Sequence, residues 1–286
     1  MSNFEGFISR IADRIRQCGG GKWLDEVENA LTSSVDLPAD ANILISGARR
    51  ALGSQVIVNP DEVWGVEHAV SRHWTMAELG RVYVLARLLH LNRMEEARLE
   101  EAVWKVYRYS ADTEKEAIIK SLVLLPDNER FKPMALDATR TNSKEILSAL
   151  LNGNTYPSRR FSDSEFNGLV LKALFMRIAI VDMPGLEGRS NPELSRMCED
   201  YIQELKDAGR DVPTDIWLAL AGSMSRRGAD FLREYGSGPD SRHRFYAAMA
   251  IEKNLSRSTE WREYVKDRLA QETDDSVLVI LNRIGT

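Results

Sequence analysis

Apolar residues recur along this chain three and four positions apart, the spacing of helices, and almost nowhere at the alternate spacing of a strand. Near the start, Phe4, Phe7, Ile8, Ile11 and Ile15 share one face, with Glu5, Arg10, Asp13 and Arg14 elsewhere. That face is expected to dock on the protein's own body, although a membrane surface or a partner would also suit it. Gly19-Gly20-Gly21 ends the segment, and further helices are expected near 22–33 and 39–52. From Thr75 the pattern is continuous. Leu79, Val82, Tyr83, Ala86 and Leu89 make one stripe, Leu99, Ala102, Val103, Val106 and Tyr107 the next, and Ile118, Ser121, Leu122 and Leu125 a third. Thr113 with Glu116, Asn142 with Glu145, and Ser162 with Glu165 have the spelling of capping boxes, while Pro126 closes one helix ahead of another over 128–139. Asn191-Pro192-Glu193 reads as a cap, a first-turn proline and a first-turn acid. The stripe behind it, from Leu194 to Leu205, stops at Gly209, and Pro213 opens a helix carrying Ile216 and Trp217. After a turn at 236–239, stripes around Phe245, Trp261 and Val277 predict the last helices, and Gln55–Val58 is the one short strand candidate.

One segment stands apart from these amphipathic stripes. Phe166 to Met176 is apolar around nearly its whole circumference, broken mainly by Asn167 and Lys172, so it is expected inside the protein with helices on every side. It is too short and too interrupted to span a bilayer. Helices starting roughly 15–20 residues apart give pairs of about 35–40 residues, near the pitch of HEAT or armadillo arrays. The expectation is therefore an all-α protein, an irregular α-solenoid of antiparallel helix pairs, with a globular multi-helix bundle as the alternative. Residues 1–286 are read as one domain, with 137–217 as its core segment.

Composition narrows the function classes. A net charge of −5, with basic and acidic residues interspersed, speaks against a nucleic-acid surface. Cys18 and Cys198 are remote from each other in sequence and read as reduced thiols, Cys198 in the core. Neither a secretory signal nor a membrane span is spelled out, so a cytoplasmic location is expected.

Candidate chemistry is sparse. His68, His73, His90 and His243 lack the spacing of metal ligands, and no phosphate loop or nucleophile elbow is present, so no metal, cofactor or catalytic residue is assigned. Acid pairs such as Glu199 and Asp200 read as solvated helix faces. Gly185 to Asn191 precedes a helix start and could hold an anion or simply turn the chain. The polar letters near the apolar segment are more informative, because Asn167 and Lys172 are costly there unless paired. Arg140, Asn142, Tyr156, Asn167, Lys172, Arg189 and Asn191 are the candidate ligand-binding residues, for a small anionic or aromatic metabolite. The competing reading is an internal network that fixes helix register.

These residues also carry a resemblance. Arg140-Thr141-Asn142, Asn154, Tyr156-Pro157, Phe166-Asn167, Val170 to Phe175, Gly185-Leu186, Arg189, Asn191, Asp200-Tyr201, Ala208-Gly209-Arg210, Pro213 and Trp217 are similar, in order and spacing, to the EboA-domain family of bacteria and algae. Thr155 replaces the family's usual proline, Gly168-Leu169 its Gln-Met, and Leu205 its arginine. The resemblance implies a gene cluster with a UbiA-like membrane prenyltransferase and enzyme-like proteins, associated with moving or processing secondary-metabolite precursors. It supplies no catalytic residues. The expected function is a non-catalytic carrier, adaptor or scaffold that binds a metabolite precursor or a pathway protein. A metal-independent enzyme acting on an isoprenoid or aromatic precursor, with Lys172 or Tyr156 as acid–base group, is the alternative.

Overall fold

A computed structural model describes residues 2–57, 74–91, 96–125, 128–255 and 258–285, with the backbone alone for 2, 3 and 96–98. His68, His73, Val58 and Pro126 lie outside the described residues. The chain forms two compact units, Met1–Phe161 and Ser162–Thr286. Among the described residues every named element is a helix, so the chain is all-α.

The first unit holds α1 (Ser2–Gln17), α2 (Gly21–Ser33), α3 (Leu37–Leu52), α4 (Met76–His90), α5 (Glu96–Tyr109), α6 (Asp112–Ser121), α7 (Lys132–Thr139), α8 (Lys144–Leu151) and α9 (Tyr156–Arg160). Two 3-10 turns, Leu122–Leu124 and Asn128–Phe131, separate α6 from α7. The apolar face of α1 docks within this unit: Phe7, Ile8, Ile11 and Ile15 are buried, and the helix packs on α2 and α4. The candidate strand is reduced to a single bridge between Val56 and Thr75.

α4 is the axis of this unit. Thr75 and Glu78 cap it reciprocally, and every residue but Arg87 and His90 is buried. The sequence pattern predicts one apolar stripe here, Leu79, Val82, Tyr83, Ala86 and Leu89, but burial extends to the charged residues Glu78 and Arg81. Both are satisfied inside: Glu78 pairs with Lys120 at 2.6 Å, and Arg81 donates to the Thr113 carbonyl at 2.9 Å. Burial on all sides requires close neighbours, and Gly80 provides the room. A Cβ there would lie 2.5 Å from Leu52 Cδ1 and 3.0 Å from Trp23 Cη2.

The second unit holds α10 (Asp163–Phe175), α11 (Pro192–Asp207), α12 (Trp217–Leu220), α13 (Arg226–Gly236), α14 (Ser241–Asn254), α15 (Thr259–Leu269) and α16 (Asp275–Gly285). α11 packs on α10, α12 and α13, and α14 on α12, α13 and α16. α10 starts with the Ser162–Glu165 box the sequence predicts. Its core face is Phe166, Asn167, Leu169, Val170, Ala173 and Leu174, but Ser164, Gly168 and Phe175 are exposed, Phe175 at 64%. The expectation of helices on every side is thus corrected. A polar or missing side chain at one position per turn is enough to leave an open face.

α10 ends in an unusual way. Ile178 N–H reaches the Ala173 carbonyl at 2.9 Å and Arg177 N–H the Leu174 carbonyl at 3.2 Å, the two bonds of a Schellman motif. The left-handed position of that motif ordinarily belongs to glycine. Here it is Arg177, φ 57°, the one non-glycine residue with positive φ among the described residues, at a cost of roughly 1–2 kcal/mol.

Other boundaries differ from the sequence reading by small shifts. α6 begins at Asp112, where Glu114 accepts from Ala111 N–H at 2.6 Å, in place of the Thr113–Glu116 box. Ser143, not Asn142, holds the N-cap position of α8, and its hydroxyl donates to Glu145 at 3.0 Å. Glu199, read as solvated, is buried and accepts from Ser225 N–H at 2.8 Å and Ser225 Oγ–H at 2.6 Å, fixing the start of α13.

Candidate functional site

The polar residues of α10 and α11 explain one another. Asn167 Nδ2 donates to Asn191 Oδ1 at 3.1 Å, and Asn191 Nδ2 returns the bond to Asn167 Oδ1 at 3.0 Å. Asn191 Oδ1 also accepts from Leu194 N–H at 2.9 Å, capping α11, while its Nδ2 reaches the Arg189 carbonyl at 3.0 Å. One amide therefore ends a helix and satisfies a buried neighbour. The Arg189 guanidinium bridges to Asp163 at 2.8 Å and lies 4.8 Å from the Phe166 ring centroid, a cation–π distance. From the turn Gly185 to Asn191, Arg189 and Asn191 join this latch.

The remaining candidates take separate positions. Lys172 is partly exposed on α10. In the first unit Arg140 and Asn142 are exposed at the α7–α8 turn. The Tyr156 ring is wholly buried, its hydroxyl donating to the Asn128 carbonyl at 2.7 Å, and burial pushes its pKa up. Asn154, also buried, donates to the Ala149 carbonyl at 2.8 Å and accepts from Tyr156 N–H at 2.9 Å. The structure thus brings Asn167, Arg189 and Asn191 together, and gives Tyr156 a role in holding α9.

A concave site that sequence reasoning missed lies in the first unit between α3 and α5. It is a groove of about 670 Å³, within the size range of small-molecule sites. α3 buries Leu37, Ala41, Ile45, Ala48 and Leu52, and turns Ala39, Ile43, Ser46 and Arg50 the other way. Ile43 is 69% exposed and Tyr109, from α5, 79%. Three charged groups join this apolar floor: Arg50, Lys105 and Asp36, the last of which caps α3 through Ala39 N–H. Lys105 is shared with Glu101 at 3.1 Å on the exposed surface of α5.

Two further details belong to this groove. Asn42 lines the groove, and its Oδ1 is buried with no hydrogen-bond partner among the described residues. A buried acceptor without a donor is costly and rare. Gly47, in the interior of α3, also lines the groove, and a Cβ added there would meet nothing within 4 Å. Packing does not demand that glycine, which costs about 1 kcal/mol in helix propensity. The signal in the sequence was Ile43 itself, two residues off the buried stripe and hence on the far side of the helix.

A family model described as metabolite traffic protein EboA matches residues 20–221. The chain belongs to the EboA family. No curated protein and no solved structure matches it. The match contains the entire lining of the α3–α5 groove and the whole Asn167–Asn191 latch. The description assigns this EboA protein to metabolite handling, and among the described residues no helix is long and apolar enough to cross a membrane.

Proposed function

We propose that this EboA protein is a non-catalytic carrier that holds a metabolite precursor in the groove between α3 and α5. The observation that carries this reading is an apolar groove of about 670 Å³ that leaves Ile43 69% and Tyr109 79% exposed. A lipophilic body covering Ile43 and Tyr109 would remove their apolar surface from water. The charge of Arg50 and Lys105 favours an anionic group on the same molecule. Delivery to pathway partners, a membrane prenyltransferase among them, is the traffic such a carrier would serve. The free Cys18 and Cys198 suit a cytoplasmic carrier, where thiols stay reduced.

Gly47→Trp is the direct test. With open space above residue 47 and a better helix former than glycine, the variant is expected to fold as the wild type does while filling the groove. Wild-type protein incubated with extract of the producing cells and measured by native mass spectrometry is expected to retain a small-molecule adduct that Gly47→Trp lacks. An adduct equally present in both proteins, or absent from both, would overturn the groove as the carrier site.

A further inference from the structure

Where α10 ends in the second unit, a different cleft forms, of about 460 Å³. Its walls include Arg177 and Ile178 after α10, Asp211 to Asp215 ahead of α12, and Arg242 and Tyr246 on α14. The backbone of Arg177 occupies the left-handed position that glycine would fill without strain. Only the side chain can compensate for that choice. Its guanidinium donates to the Asp211 carbonyl at 2.5 Å, a neutral acceptor, and among the described residues Arg177 forms no ion pair.

Across the cleft Asp215 presents the opposite imbalance. It is 7% exposed and one carboxylate oxygen accepts from Ile180 N–H at 2.7 Å, yet no cation pairs with it among the described residues. A buried carboxylate without a counter-charge is unfavourable, and burial accordingly pushes its pKa up. Arg242, by contrast, has its carboxylate in Asp240 at 2.9 Å. One cleft therefore holds a guanidinium and a buried carboxylate that form no ion pair among the described residues, with the Asp211 side chain and an apolar wall of Ile178, Val212 and Tyr246 beside them.

We propose that this cleft is a second small-molecule site, which takes a zwitterion of amino-acid type. The ligand's carboxylate meets Arg177, its ammonium meets Asp215, and its side chain lies against Ile178, Val212 and Tyr246. A plain anion would leave Asp215 uncompensated and a plain cation would leave Arg177 so, whereas a zwitterion neutralises both. Both charged residues lie within the EboA match, while Tyr246 and Arg242 lie beyond it, so the side-chain preference belongs more to this chain than to the matched segment.

Three probes of one shape test the charge requirement by isothermal titration on the full chain: L-tyrosine, tyramine, and 3-(4-hydroxyphenyl)propionate, with L-leucine as an aliphatic check on the wall. Tyrosine or leucine is expected to bind, and the two analogues that lack one charge to bind at least roughly tenfold more weakly than tyrosine, the loss of one charged contact. Arg177→Gly keeps the backbone conformation without strain and is expected to abolish zwitterion binding. Asp215→Asn keeps an acceptor for Ile180 N–H and is expected to weaken tyrosine while strengthening the propionate analogue. Arg177→Lys, which retains the charge, is expected to restore part of the affinity lost in Arg177→Gly. No binding of either amino acid at millimolar concentration would overturn the proposal. So would equal binding of all three tyrosine-shaped probes, or wild-type affinity in Arg177→Gly confirmed as folded by circular dichroism.

Discussion

Asn191 shows how much one side chain can be asked to do. Its amide caps α11, pairs twice with Asn167 and holds the Arg189 carbonyl, so removing it exposes three sets of polar groups at once. Asn191→Ala is expected to destabilise the protein by roughly 2–4 kcal/mol, a lost cap plus an orphaned buried amide. Asn167→Ala leaves the cap intact and is expected to cost about 1–2 kcal/mol. Urea unfolding of both variants and the double variant checks this, with a double-mutant cycle showing coupling; additive effects would mean the pair is not a unit. Glu272 makes a comparable case for charge. Burial pushes its carboxyl up, but Arg244 at 2.8 and 2.9 Å, the N–H groups of Asp274 and Thr273, and Arg268 outweigh burial and hold it at about 2. The folded pKa lies below the ordinary 4.5, so the stabilisation is present above pH 4.5 and is lost as pH falls towards 2. Acid titration of thermal stability is expected to show this fall in the wild type, on the order of 2–3 kcal/mol, and to show much less of it in Glu272→Gln. The sequence displayed Asn167 and Asn191 as polar letters near an apolar run. Their mutual pairing across 24 residues was invisible, because hydrogen-bond partners are set by tertiary contact.

At the scale of elements, α4 and α10 exchange the roles that their letters suggest. α10 is the helix that the sequence analysis puts inside, yet α4 is the one enclosed on nearly every side, with Glu78 paired to Lys120 of α6 and Arg81 bonded to carbonyls of α3 and α6. A charge on a helix reads as a solvent face only while its partner is unknown. The close approach that encloses α4 passes over Gly80, so Gly80→Ala is expected to destabilise by roughly 1–3 kcal/mol although alanine is the better helix former. Chemical denaturation decides it, and a stabilised variant would show that Leu52 and Trp23 can give way. Helix starts were more legible than helix neighbours. The Ser162–Glu165 box and the Asn191 cap stand where the spelling puts them, since both depend on residues within one turn. The open face of α3 was not legible, because an exposed Ile43 and a buried Ile45 are the same letter until the packing is known.

Across the whole molecule, the ligand proposals have a thermodynamic consequence. A metabolite that binds only the folded chain raises its stability, by about 2.7 kcal/mol at a hundredfold excess over Kd. Thermal-shift screening of lipophilic carboxylates is expected to raise the Tm of the wild type and not of Gly47→Trp; a shift of the same size in both would place the ligand elsewhere. What the sequence determined by itself was whatever is local or compositional. Helical periodicity, capping spelling, the scarcity of metal and nucleophile patterns, and the ordered motifs from Arg140 to Trp217 sufficed for an all-α member of the EboA family. Tertiary structure alone decided which apolar faces remain uncovered, which charges find partners, and where Arg177 and Asp215, without an ion pair among the described residues, share one cleft. Those are properties of surfaces brought together from distant parts of the chain, and burial and pairing energies exist only once the surfaces have met.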